Sequence, residues 1–345
     1  MALAAALLVA WALLRARRTR RMHLVADAHG NETLLVHASV GSLSTVFLVD
    51  TAYAGAPVIS TSFLRAACAQ GEPLAACLQR TRSEGSEVSP DDAVAETMVR
   101  HAGCRTFTSG CTMRLMSITE TVENQSHLLL CPPIAIDGFR DDEAVAADVL
   151  MTNPLRGTPH ILTIDYLLHR APCLLLPARQ EIVFRDPSST WGFVFVVPRV
   201  VGGAFVVDMV VGGMPVAVVV DTGAGAALSL SSSVAARMTA CRNATRTLTQ
   251  VGVNGERVCS ELYHADVRIG DHLHFSDVAV LANDGEVQGA DGYAGMGLLR
   301  ALDLRFEPHR LGLRRSGLAP RSPGTLVQGR CAKTTTRPQC DAVRG

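Results

Sequence analysis

The chain is predicted to be all-β, built as two homologous β-barrel lobes with a central cleft between them. Residues 34–50 and 205–221 align without a gap and share Val36/Val207, Val40/Val211, Gly41/Gly212, Val49/Val220, Asp50/Asp221 and Thr51/Thr222. A repeat on that scale marks a duplicated structural unit. Valine recurs in short runs bounded by Gly, Pro, Asn and Asp, the composition of strands and turns. Windows with a sustained helical period are few, the best being 61–79 and 231–238, each just downstream of an Asp-Thr pair.

A chain of 345 residues is long enough for two ordinary cores. Its formal net charge is zero, and the local Lys/Arg clusters at the two ends lack interleaved aromatic residues, so no nucleic-acid partner is expected. The N-terminal segment, residues 1–21, joins an apolar stretch from Met1 to Leu14 to an Arg-rich flank from Arg15 to Arg21. Fourteen helical residues rise about 21 Å, short of the roughly 30 Å hydrocarbon core, so a spanning helix there is marginal. A cleaved signal carries its positive charge before the apolar stretch, and charge after it points to a cytoplasmic body. The cysteines and sequons point the other way. The ten cysteines fall into sequence-near pairs, Cys68/Cys77, Cys104/Cys111, Cys241/Cys259 and Cys331/Cys340, leaving Cys131 and Cys173. Asn31, Asn124 and Asn243 stand in glycosylation sequons. A membrane-anchored body on the secretory or lumenal side is expected, with a cytoplasmic-facing body as the alternative.

The first copy occupies 30–186. Its strand pair delivers Val49-Asp50-Thr51-Ala52, and its end reads as two apolar strands, from His160 to Leu168 and from Cys173 to Phe184. The second copy occupies 198–315. Phe205 to Val211 reads as a strand, Gly212-Gly213 as a tight turn, and Pro215 to Val220 as the strand that carries Asp221 into Thr222-Gly223-Ala224. Asn254-Gly255 between extended segments signals a hairpin, Ala265 to Leu281 a further strand pair around Gly270-Asp271, and Leu302 to Leu313 a closing hairpin. The tail, 316–345, is rich in Arg, Pro, Thr and Gly and is expected to be a flexible extension.

With these residues in place, the chain resembles the aspartic peptidases of the retropepsin-like and pepsin-like group. The match is carried by apolar-Asp50-Thr51 and apolar-Asp221-Thr222-Gly223-Ala224, each partnered downstream by an apolar-apolar-Gly segment, clear as Tyr293-Ala294-Gly295 and blurred as Ile161-Leu162-Thr163. The resemblance implies a bilobal pepsin-like acid protease fold, a monomer, no cofactor and no metal, and a peptide or protein substrate. It implies catalysis by Asp50 and Asp221, with Thr51, Ala52, Thr222, Gly223 and Ala224 supporting their loops. Two carboxylates at close range hold one proton between them, so one activates a water while the other supports the scissile carbonyl. A catalytically silent fold that binds peptides or serves as a structural module is the alternative reading.

The first copy departs from the family pattern at three places. Ala52 stands where Gly is usual, Tyr53 follows it, and Thr163 replaces a Gly. An alanine keeps the N–H that would donate to Asp50, and strain arises only if the position needs positive φ. Neither Tyr53 nor Ala224 offers the small hydroxyl that would lower a carboxylate pKa, so the pair is expected to titrate high and the pH optimum to be less acidic than in relatives with hydroxyls there. Two hairpins are flap candidates. One holds Phe107 and a Gly110 turn, and the other Val253, Asn254 and Gly255.

Overall fold

The computed structural model describes residues 5–6, 19–26, 32–40, 43–53, 55, 57–60, 106–116, 121–131, 134–136, 139–140, 145–150, 160–168, 172–184, 192–201, 203–238, 246–251, 257–283 and 289–317. Strands β1 (Thr19–Ala26), β2 (Glu32–Val40) and β3 (Leu43–Asp50) form an antiparallel run. In β2, Leu34, Val36 and Ala38 are buried while His37 is exposed, the two-residue period of a strand with one face on a core. Next come β4 (Val58–Ser60), β5 (Thr106–Met116), β6 (Thr121–Cys131), β7 (Ile134–Ile136), β8 (Phe139–Arg140), β9 (Val145–Leu150) and β10 (His160–Thr163). Helix α1 (Ile164–Leu168) leads to β11 (Cys173–Leu176), a 3-10 turn at Pro177–Arg179, and β12 (Glu181–Phe184).

The second half begins with β13 (Val194–Val196), β14 (Arg199–Val201), β15 (Ala204–Val211) and β16 (Met214–Val220). Gly212 and Gly213, both at positive φ, make the turn between β15 and β16. Then follow β17 (Leu228–Ser231), α2 (Ser232–Ala235), β18 (Arg246–Val251), β19 (Arg257–Ile269), β20 (Leu273–Asn283), β21 (Gly292–Ala294), α3 (Met296–Leu299), β22 (Leu302–Glu307) and β23 (Arg310–Arg315).

The strand order repeats between the halves. In the first it runs β2-β3-β10-β4-β9-β6, and in the second β15-β16-β21-β17-β20-β19. The second run also pairs β15 with β19 and so closes into a six-stranded barrel. Registers repeat as well: Val36 lies opposite Phe47 as Val207 lies opposite Val218. In each half the strand that ends at the Asp pairs in parallel with a later strand, β3 with β10 and β16 with β21. A parallel neighbour must arrive by a crossover, which is why a distant segment comes to lie beside each Asp.

The two halves are joined by a shared antiparallel sheet in the order β13-β23-β22-β11-β12-β1. Its inner face carries Leu175, Ile182, Phe184, Leu302, Leu304, Phe306, Leu311 and Leu313, which belong to one buried cluster that also includes Met22, Leu34 and Val36 from the start of the chain and Val207, Val218 and Val220 from the barrel. The hydrophobic core is therefore continuous across the two halves.

The N-terminal boundary corrects the sequence expectation. The sequence places Thr19, Arg20 and Arg21 in the Arg-rich flank of an anchor or signal-like segment and starts the first copy at residue 30. Instead they open β1, pairing with Val183, Ile182 and Glu181, and the strand continues against β2. The Arg run hides an alternation in which Met22 points inward and Arg21 and His23 outward. Among the described residues no helix is long and apolar enough to cross a membrane, and the apolar stretch lies outside them apart from residues 5 and 6. Cys173 is a free, buried thiol that burial pushes up to about 12, and the side chains of the other nine cysteines lie outside the described residues, as does the tail beyond 317.

Phe306, fully buried, packs edge-to-face on Phe205 with ring centroids 5.5 Å apart, bridging the shared sheet and the barrel. Phe306→Ala is expected to destabilise the whole chain by about 3–5 kcal/mol in a single cooperative transition, read by urea unfolding with far-ultraviolet circular dichroism.

Candidate active site

Strands β3 and β16 both end in a buried apolar run and deliver Asp50 and Asp221 into tight loops. The carboxylate of Asp50 accepts from the backbone N–H of Ala52 at 2.9 Å and of Tyr53 at 3.1 Å, both on Oδ1. Asp221 accepts on Oδ1 from the N–H of Gly223 at 2.8 Å and of Ala224 at 3.1 Å. The two loops thus turn on the same pair of hydrogen bonds, in which the Asp side chain satisfies backbone donors that the turn leaves open.

The adjacent threonines cross-link the loops. Thr51 N–H donates to Thr222 Oγ1 at 3.2 Å, and Thr222 N–H donates to Thr51 Oγ1 at 3.1 Å. Each hydroxyl then donates onward to the opposite Asp strand, Thr51 to the carbonyl of Val220 at 2.7 Å and Thr222 to that of Val49 at 2.5 Å. Both side chains are fully buried. A hydroxyl can donate once and accept, and both capacities are filled here, so no other short side chain but Ser supplies the same four bonds.

The cross-link sets the two carboxylates against one another. A methyl built at Gly223 would lie 2.9 Å from Asp50 Oδ2 and 3.1 Å from Asp221 Oδ1, so both carboxylates meet the same small volume and any side chain at 223 would intrude on them. Both acids are held above the ordinary carboxylate range. For Asp50 the cause is burial, opposed by the N–H groups of Ala52 and Tyr53. For Asp221 it is burial and then the charge of Asp50, opposed by Gly223 and Ala224. Two such acids retain a proton at a pH where isolated ones would have lost both.

The departures in the first half are absorbed. Ala52 makes its hydrogen bond to Asp50 and is not among the described residues with positive φ, so alanine there carries no backbone strain. Its side chain packs with Tyr293 on the cluster of Ala204, Val206, Ala217 and Val219. Thr163 sits opposite Asp50 in the β10–β3 register, the place taken in the second half by the residue after Ala294. Its hydroxyl donates to the carbonyl of Gly55 at 2.6 Å and accepts from the N–H of Tyr166 at 3.2 Å. The second hydrogen bond caps α1.

The flap expectations fare unevenly. Phe107 and Gly110 lie inside β5, and Gly110 falls in the register shift between Phe107 and Cys111, a bulge and not a turn. The glycine accommodates extra residues within the strand, and the β5–β6 reversal comes after Met116. Val253, Asn254 and Gly255 lie outside the described residues, between β18 and β19, whose ladder narrows onto them at Val251 and Arg257. One neighbour of the site was not singled out from sequence. Tyr293 pairs with Val219 in β16, and its phenol is pushed upward by burial first and then by the charges of Asp221 and Asp50. Its position inside the Tyr-Ala-Gly segment was legible; its reach toward both acids depends on the cross-link.

Residues 207–299 match the model of a family described as aspartyl protease. The match supports an aspartyl protease family. It spans the closed barrel from β15 to α3 and so includes Asp221, Thr222, Gly223 and Tyr293. No curated protein matches the chain.

Because both acids are raised in the folded state, folding favours their protonated forms. That contribution is present below the ordinary carboxylate range and is lost as pH rises through the raised folded values. Asp221→Asn, which keeps an oxygen to accept from Gly223 and Ala224, is expected to raise Tm by about 2–4 °C near neutral pH. The gain should shrink toward about pH 4 and vanish below about pH 3, where the acid is protonated in both states. Differential scanning calorimetry across pH checks this, and an equal gain at every pH would contradict it.

Proposed function

We propose that this chain is an aspartic endopeptidase with a bilobal, pepsin-like architecture, acting on extended peptide or protein substrates as a monomer. The observation that carries the reading is the reciprocal pair of threonine hydrogen bonds, which brings Asp50 and Asp221 from opposite halves against Gly223. The repeated strand order and the family match over the barrel support it.

The chemistry follows from one proton shared by two carboxylates. The ionised acid takes a proton from a water held between them, and the oxygen so activated attacks the scissile carbonyl. The protonated acid gives its proton to the carbonyl oxygen as that oxygen gains charge; when the C–N bond breaks, the acid that took the water proton passes it to the leaving amine and the first acid recovers one from the gem-diol hydroxyl. Atoms and charge balance without a covalent intermediate. The Ala52, Tyr53, Gly223 and Ala224 N–H groups hold each carboxylate in one rotamer, so little reorganisation is needed during the step.

Two groups set the pH window. The raised acids place the loss of the shared proton above the ordinary Asp range. His160 is pushed down to about 4 by burial, so the folded state favours its neutral form, and that stability fades as pH falls from the ordinary histidine range toward the lowered value. Activity is expected to peak above about pH 4. A peak below about pH 3.5 would refute this assignment of the acids. Offered a mixed peptide library, the wild-type protein should cleave, and Asp50→Asn and Asp221→Asn should each lower kcat by at least about 100-fold. Cleavage indifferent to both changes would sink the reading, and a protein that binds a statine-type inhibitor without turnover would favour the silent, peptide-binding alternative.

A further inference from the structure

In the second half the stretch from Ala224 onward is held against the segment around Gly295 by backbone hydrogen bonds. Met296 N–H donates to the carbonyl of Ala224 at 2.7 Å, Gly295 N–H to Ala227 at 3.1 Å, and Gly297 N–H to Gly225 at 3.2 Å. Such contact requires glycine at 295, where an added Cβ would lie 2.4 Å from the carbonyl oxygen of Ala226 and 2.5 Å from that of Ala224. A threonine does not fit there.

The first half solves the same problem differently. Gly55 stands in the left-handed region with φ of 105°, five residues after Asp50. Its carbonyl accepts from Thr163 Oγ1 at 2.6 Å, and its N–H donates to Asp165 Oδ2 at 2.8 Å. Both polar groups of one loop residue are thus gripped by two side chains from a single short segment. That segment is itself fixed: Thr163 ends β10 beside Asp50, is fully buried, and caps α1 through Tyr166, while Asp165 lies in the first turn of α1.

We propose that Thr163 and Asp165 are positioning residues for Asp50, forming a side-chain clamp on Gly55 that replaces the glycine packing of the second half. Thr163 is then a substitution with a function, and not an eroded glycine. Releasing the clamp frees the loop that presents the Ala52 and Tyr53 N–H groups to Asp50, so the carboxylate loses donors that favour its charged form. The kinetic part of this inference rests on the peptidase reading; the structural part does not.

The test uses the full chain and four variants. Thr163→Gly, which restores the commoner residue of the pattern, and Asp165→Ala break the clamp. Thr163→Ser and Asp165→Asn keep a hydroxyl donor and an oxygen acceptor. Carbon-13 NMR titration of the Asp50 carboxyl should move upward in the two breaking variants and return to the wild-type midpoint in the two conservative ones. On a peptide that the wild type cleaves, the breaking variants should lose about 10- to 100-fold in kcat with KM little changed, the signature of a displaced catalytic group. An unmoved Asp50 midpoint in both breaking variants, or a failure of Ser and Asn to restore it, overturns the clamp. If the wild type cleaves nothing, the peptidase reading falls and the titration alone decides the clamp. Should Thr163→Gly not fold, Asp165→Ala, in a half-buried loop-facing position, decides it by the same titration.

Discussion

The reciprocal hydrogen bonds between Thr51 and Thr222 are the constraint on which the rest of the molecule depends. They join the two Asp strands at their ends, in a place closed to water, and each hydroxyl is used both as donor and as acceptor. Two strands brought together elsewhere along their length would leave the carboxylates apart. Joined at the residue after each Asp, they have no choice but to present both acids to the same volume, the one left empty by Gly223. The parallel partners β10 and β21 and the continuous core beneath them fix the strands from behind.

That arrangement opposes stability at neutral pH. Burial and mutual repulsion both resist ionisation of the pair, and four backbone N–H groups recover only part of the loss. A site of this kind persists because the surrounding structure over-determines it. Here the surroundings are a core that runs without interruption from Met22 to Leu313 and a shared sheet that takes strands from both ends of the chain. The two halves are not equivalent in how they hold their acids. One uses close backbone packing that only glycine permits, and the other uses the side chains of Thr163 and Asp165 on Gly55.

Much of this was legible in the sequence, for a physical reason. A duplicated strand pair keeps its register when its apolar pattern is kept, so the aligned Val36/Val207 and Asp50/Asp221 positions recur as equivalent ladder positions. The loop donors were legible too, because the second and third residues after the Asp offer it their N–H groups in the same turn whether the first of them is Gly or Ala. What escaped was non-local. The Arg-rich start of β1 reads as charge, and only its pairing with β12 reveals a strand. Gly110 reads as a turn because a bulge and a reversal make the same demand on the backbone. Thr163 reads as a lost glycine until Gly55, far away in sequence, supplies the carbonyl its hydroxyl needs.

The shared sheet has a consequence for how such a chain is made. Strand β11 has β12 on one side, and its other edge is filled by β22, which lies in the second half and is synthesised well after it. Until β22 and β23 emerge, a nascent first half presents an unpaired apolar edge of Cys173, Leu174, Leu175 and Leu176, a template for wrong partners. Completion of the first half is therefore delayed until the second has been translated. The duplication that reads as two modules in sequence is obliged to mature as one.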